Sequence, residues 1–357
     1  MLSAALPDVG GRLYRVPLAQ PSPLSSVGGW ESVHEISDLT SACADPSSCV
    51  VQGKAHVPLV EDESGEHVYF ASHVGFYTEV DGMETIPVTP GRPAHLGPYP
   101  GGCVLRLHVP SGALTPLCRM PDCEGVITMA CDLPRKRVYC LLWPSGRLGV
   151  VAQPPSPPSS SSSSSSEWAL LHTLDYPGRG DGEASHPRTG KYRPVCRAMA
   201  VDPRTGKLYF SNSAGDVLEY DGGRSGKEPI IRAVLSGTEG LVRDYFGHYD
   251  PAKPGSMGYH WRQVHWVEGH RGGCIVGMHG NSGYLFELLL PTEGLGGEGR
   301  PSLQLVERLT SLPSKRIGLS DQFSCACALT HSESRARPLL LLYDLSITRF
   351  ILATAYP

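Results

Sequence analysis

Short apolar runs recur along the chain, each bounded by a turn rich in Gly, Pro and charge. LVEDESGEHVYFASHVGFY (59–77) shows the order: an apolar run closing on Asp62, a polar turn, a second run, a small-residue turn, a third run. The same order returns in MACDLPRKRVYCLLWPSGRLGVV (129–151), MAVDPRTGKLYFSNSAGDVLEYD (199–221) and HWVEGHRGGCIVGMHGNSGYLFEL (265–288). The acids closing the first runs, Asp62, Asp132, Asp202 and Glu268, are spaced 70, 70 and 66 residues apart. VDPRTGKLYF sets Pro and Gly between two runs, a hairpin signal. GDVLEYD alternates apolar and polar, as a strand with one wet face does.

Fourth strands are expected at ALTPLC (113–118), WALLHTL (168–174), IIRAVL (230–235) and SLQLVERL (302–309). The tail adds RIGLSDQFSCACALTH, then PLLLLYDL and TRFILATAY as two strands with a turn; the head, GRLYRVPL with WESVHEIS, reads as the outer half of a unit. Repeated units of short strands predict an all-β fold, a single-domain β-propeller over 1–357 with six or seven four-stranded blades, incomplete at the N-terminus. Such units need about 40–50 residues each, so these carry insertions. They are the Pro/Gly-rich loop 78–102, the Ser-rich low-complexity loop 154–167, and the polar connection 178–193.

Composition narrows the function classes. Hydrophobic residues make up 40% and charged residues 18%, with a formal net charge of −4. That composition supports a core and supplies no basic excess for nucleic acid. No apolar stretch reaches the roughly 18–20 residues of a membrane-spanning helix. The opening MLSAALPDVGG lacks the basic and apolar regions of a secretion signal, so a cytoplasmic protein is expected and its eleven cysteines are read as reduced, buried thiols. The RGD at 179–181 is read as chance.

Superposing the units brings His73, Trp143, Ser213 and His279 to one repeat position, just after the second strand. Polar residues there predict an exposed rim where the sheets end. First strands carry further polar groups: His56 in GKAHVPLV, Arg197 in VCRAMAVD, and Arg262 with Gln263 in YHWRQVHW, preceded by Tyr259 and His260. An unpaired buried Arg is costly. If first strands line the channel, His56, Arg197 and Arg262 converge there and call for water or an anionic guest. The plainer alternatives are a strand-end histidine at His56 and arginines paired with nearby acids or carbonyls. The two asparagines, Asn212 and Asn281, sit in matching turns, NSAG and NSG, and turn geometry accounts for them.

AHVPLVEDESGEHVYFASH, with a His on a unit's first strand and another after its second, resembles β-propeller polysaccharide lyases of the ulvan and oligogalacturonate lyase type. The resemblance implies His56 and His73 as paired imidazoles, Arg197 as a clamp on a uronate carboxylate, and Tyr192 or Tyr259 as a proton-transfer group. Elimination needs the carboxylate neutralised, a base for the C5 proton and an acid for the leaving oxygen; Arg, His and Tyr supply these roles. Arg262, Gln263, His279 and Trp143 would complete the ligand contacts. His56, His73 and His279 could instead hold a divalent metal. The alternatives are a non-catalytic propeller scaffold for a protein partner, or a diverged pseudoenzyme.

Overall fold

The computed structural model describes strands at 12–15 and 34–38, then residues 55–73 except 56, 78–80, 83–85, 101–153 except 122, 124 and 144, and 167–178. It further describes 196–236 except 213–214 and 223–227, and 261–268, 272–279, 284–291, 300–308, 329–330, 339–344 and 349–354. Some strand residues, Arg262, Gln263 and His279 among them, are described as backbone.

Strands are numbered in chain order. β1 (Arg12–Arg15) pairs with β2 (His34–Asp38). β3 (Val60–Glu61) and β4 (His67–Ala71) are followed by the two-stranded ribbon β5 (Thr78–Val80) and β6 (Met83–Thr85). β7 (Gly102–His108) and β8 (Ala113–Met120) then complete the sheet β3-β4-β7-β8. The second four-stranded sheet is β9 (Gly125–Asp132), β10 (Arg137–Trp143), β11 (Leu148–Ala152) and β12 (Ala169–Leu174). The third is β13 (Met199–Val201), β14 (Leu208–Ser211), β15 (Val217–Asp221) and β16 (Ile230–Leu235). The fourth is β17 (Trp261–Val267), β18 (Cys274–His279), β19 (Tyr284–Leu289) and β20 (Ser302–Arg308). β21 (Leu329–Thr330), β22 (Leu339–Asp344) and β23 (Arg349–Thr354) form a three-stranded sheet.

Every described pairing is antiparallel, and within each four-stranded sheet neighbours in the sheet are neighbours in order along the chain, apart from the β5–β6 insertion. These are the blades of a β-propeller, and the expected fold class stands. The expected 78–102 loop differs in detail: it carries the β5–β6 ribbon, and the third strand of the first blade comes after it, at Gly102–His108. The insertion separates strands that the sequence pattern alone would join through 73–77.

The chain divides into two compact units. One holds 1–79 and 84–174, the other 80–83 and 175–357. In the first, the first two blades bury Phe70, Leu105, Val126, Met129 and Val138 between them. Phe70 and Leu105 face each other across β4 and β7, and burying each such side chain contributes roughly 1.5–3 kcal/mol. In the second, the third and fourth blades enclose Tyr209, Val217, Ile275, Phe286 and Trp261.

The repeated acids have a structural task. Asp62, Asp132 and Asp202 each begin the hairpin between a blade's first two strands, and the carbonyl of each accepts a backbone N–H from its own turn: Gly65, Arg135 and Gly206. Asp132 and Asp202 are buried. Arg135 Nη1 reaches Asp132 at 3.2 Å, and Arg204 bonds both oxygens of Asp202, Nε to Oδ1 at 3.0 Å and Nη2 to Oδ2 at 2.9 Å. The Arg204 guanidinium also donates to the Gly272 carbonyl and stacks 4.8 Å from the Trp266 ring centre, tying the third blade to the fourth.

Candidate functional site

At His73 the repeat position after the second strand meets the first strand of the following blade. In the first unit, Gly125 opens β9 and pairs with Trp143 of its own blade on one side. On its other side it makes an isolated bridge with His73 of the preceding blade. Two residues 70 positions apart in sequence are thereby brought to either side of one glycine. The junction is fastened by Ser72, whose carbonyl accepts Val126 N–H at 3.1 Å and whose Oγ accepts Cys103 N–H at 2.9 Å.

The second unit has a related junction built from different residues, Ser211 and Trp261. Trp261 opens β17 and pairs with His279 at the end of β18. Its N–H donates to Ser211 Oγ at the end of β14, 2.7 Å away. That hydroxyl also meets Cys196 Sγ at 3.4 Å, and the thiol reaches the Ala198 carbonyl at 3.2 Å. Burial pushes the Cys196 thiol pKa up, so this sulfur serves as a neutral brace.

The expectation of an exposed rim is corrected at two positions. His73 has 0% of its surface exposed and Trp143 3%. The cause is the close approach at Gly125: with no side chain there, the His73 backbone and ring settle directly against β9. Ser213 lies outside the described residues, as do His56, Tyr192, Tyr259, His260 and Asn281. His279 is placed at the equivalent strand end as backbone.

Arg197 stands between the buried Cys196 and Ala198, half-buried itself, two positions before β13. Among the described residues no carboxylate pairs with it. Arg262 directly follows Trp261 and is the extra residue of a β-bulge, since Trp261 pairs with His279 and Gln263 with Met278. Bulges re-aim the residues beside them. The Cys196–Ser211–Trp261 connection therefore brings the backbones of Arg197 and Arg262 to one blade junction. Ser211 and Gly125 carry these junctions, and neither belongs to the polar repeat set the sequence singles out. The available signals were a small polar residue closing the apolar run LYFS and a glycine opening GVITMA.

Other polar groups inside the blades are spent on structure. Glu219, buried on β15, accepts from Tyr209 Oη at 2.8 Å and from Arg232 Nη2 at 2.8 Å, with Lys207 Nζ at 3.5 Å. Burial and the neighbouring Glu219 carboxylate push the Tyr209 phenol well up, so it acts as a fixed hydrogen-bond donor. Asn212 donates to the Pro177 carbonyl at 3.0 Å and to Asp216 Oδ2 at 2.7 Å, closing its turn. Among the described residues no group of three or more His, Cys, Asp or Glu side chains is arranged to hold a metal ion. Nor, among those residues, is any helix long and apolar enough to cross a membrane.

No protein-family model matches the chain, and no curated protein matches it. Among solved structures it is similar to a nidogen/laminin complex, at 11% identity over 98% of this chain and 91% of that one, TM-score 0.43. A proposed 6-phosphogluconolactonase from Bacteroides fragilis aligns at 9% identity, over 98% and 78% of the two chains, TM-score 0.47. A periplasmic gluconolactonase from Pseudomonas aeruginosa aligns at 12% identity, over 98% and 79%, TM-score 0.48.

Proposed function

We propose that the protein is a ligand-binding propeller that takes an anionic, uronate-like ligand at the junction carrying Arg197 and Arg262. One observation carries this reading. Arg197 is a half-buried guanidinium with no acidic partner among the described residues, joined through Cys196, Ser211 and Trp261 to the bulge at Arg262. A guanidinium partly withdrawn from water favours an anion, and its planar fork suits a carboxylate. Gln263, next along β17, would add a neutral hydrogen-bonding group. His73 and Trp143 enter this reading as packing groups. A lyase activity would add Tyr259 and His56 as proton-transfer groups.

Calorimetric titration with oligogalacturonate tests the proposal. Arg197→Ala and Arg262→Ala should each weaken binding about 10- to 100-fold, the range for losing a charged hydrogen-bonding partner of about 1.5–3 kcal/mol. Undiminished binding in both variants would refute the site. Appearance of ultraviolet-absorbing unsaturated product would extend the function from binding to elimination.

A second reading, a scaffold for a protein partner, is favoured by Leu171 and Ile230. They are 49% and 56% exposed on β12 and β16, the final strands of their blades. Leu171→Asp and Ile230→Asp would abolish partner capture while leaving oligogalacturonate binding intact.

A further inference from the structure

His67 on β4 and His108 on β7 are direct cross-strand partners. Their rings lie 5.2 Å apart, centre to centre, tilted by 44°. Both rings are half-buried, so each is held yet reachable from water. Neither belongs to the polar set at the blade junctions.

Each ring is held by its Nδ1. His67 Nδ1 lies 3.1 Å from Asp62 Oδ2. The carboxylate can only accept there, so Nδ1 carries the hydrogen and, in the neutral ring, Nε2 keeps its lone pair. Asp62 is itself fixed, its Oδ1 accepting Ser64 Oγ–H at 2.8 Å and His67 N–H at 3.2 Å. His108 Nδ1 lies 2.7 Å from Ser111 Oγ, and that hydroxyl is positioned by the Ala113 N–H at 3.3 Å. The hydroxyl can accept the Nδ1 hydrogen, which leaves the second Nε2 free to ligate. An oxygen partner on the far nitrogen is the arrangement that orients metal-binding imidazoles and raises their basicity.

The spacing also fits. A zinc ion sits about 2.0–2.1 Å from an imidazole nitrogen, and roughly another 1.1 Å separates that nitrogen from the ring centre. A separation of 5.2 Å between ring centres is the one two imidazoles take when they share an ion at roughly the tetrahedral angle. Val109 N–H donates to the Glu66 carbonyl at 2.8 Å and holds β4 and β7 in register, while Gly112 N–H donates to the His108 carbonyl at 2.9 Å and closes the turn that carries Ser111.

We propose that His67 and His108 form a two-imidazole site for a late first-row divalent metal ion, with Asp62 and Ser111 as the positioning groups. The remaining coordination positions are left to water or to an exogenous ligand. Nitrogen donors favour copper, nickel and zinc over magnesium and calcium. This site shares no residue with the proposed anion site: it is built from residues of the first unit alone.

Titration of the full chain with Ni(II) alone, followed by calorimetry, tests it. The wild type should show a saturable equivalent that is lost in both His67→Gln and His108→Gln. Asp62→Asn should keep the stoichiometry and weaken binding about 10-fold or more, the usual consequence of losing an outer partner. Ni(II) should also raise the melting temperature of the wild type and leave that of His108→Gln unmoved. Where His67→Gln fails to fold, His108→Gln and Asp62→Asn decide the matter. The absence of saturable binding, or an equivalent retained in both His108→Gln and Asp62→Asn at full affinity, would overturn the site.

Discussion

Gly125 and His73 share one isolated antiparallel bridge, and the His73 backbone and ring stand where any side chain at position 125 would go. A Cβ built on Gly125 would lie 2.7 Å from His73 Cγ and 2.8 Å from its Cβ. Gly125→Ala must therefore push two blades apart at their junction, with an expected loss of about 1–3 kcal/mol, the usual range for overpacking. Gly149→Ala provides the contrast, because its nearest neighbour is Met120 Sδ at 3.4 Å. Urea unfolding of the two variants should rank Gly125→Ala clearly below Gly149→Ala. Equal stability would show that the junction yields freely.

Glu219 makes an unequal set of partnerships. Its bond from Tyr209 Oη is buried, whereas the side chain of Arg232 is 62% exposed. Glu219→Ala leaves the Tyr209 hydroxyl buried without its acceptor, at a cost of about 1–3 kcal/mol. Arg232→Ala removes a solvent-screened partner and should cost under about 1 kcal/mol. Thermal unfolding of the two single variants gives the order, and a reversed order would contradict it.

The latch formed by Asp202, Arg204 and Trp266 makes a more severe prediction. Arg204→Ala takes away both side-chain bonds to a buried carboxylate and the stacked cation over Trp266. Backbone N–H of Arg204 still serves Asp202 Oδ1 at 3.0 Å, so the carboxylate is not stranded altogether. The expected loss is about 1.5–3 kcal/mol, the range for hydrogen bonds to a charged group, with a change in tryptophan emission. Arg204→Lys should recover little of it, because a point charge cannot reproduce the fork.

Two imidazoles give stability a pH dependence. Burial holds the His265 pKa below its ordinary value; burial and then the Arg137 charge do the same for His172. Above about pH 6.5 both are neutral whether the chain is folded or not. As pH falls below that value, the unfolded chain binds protons that the folded chain refuses, so stability declines until the lower folded values are passed. Denaturation midpoints should fall between pH 7.5 and 5, and His265→Gln should flatten the fall. A midpoint that rises on acidification would contradict the assignment.

Much of the blade pattern was legible because strand periodicity is local. IIRAVL predicts a strand over 230–235 and forms one over those residues, and the expected outer strands near 113, 168 and 302 are present. The repeated acids also stood out, since the same turn bond recurs with the hairpin at Asp62, Asp132 and Asp202. The burial of His73 was not legible. It depends on Gly125, which lies 52 residues on in sequence and in another blade, and no local pattern reports which backbone will close against a strand end. The same holds for Ser211, whose importance comes from a backbone N–H supplied by Trp261. Polar residues at a repeat position look alike in sequence whether they face water or a neighbouring sheet.

Ser211 offers the sharpest link between packing and the proposed anion site. Its hydroxyl is the shared partner of Trp261 N–H and Cys196 Sγ, and all three residues are buried. Ser211→Ala leaves a buried backbone donor without its acceptor, so stability should drop by about 1–3 kcal/mol. It should also loosen the approach of Arg197 to the Arg262 bulge and weaken oligogalacturonate binding, although Ser211 itself would touch no ligand. In Arg197→Ala the positioning has nothing left to position. The additional effect of Ser211→Ala on affinity should therefore shrink in the double variant, the coupling expected of residues that act as one unit. Calorimetry on the two single variants and the double variant measures that coupling. Strictly additive losses would mean that the hydroxyl holds the blades together without bearing on the ligand.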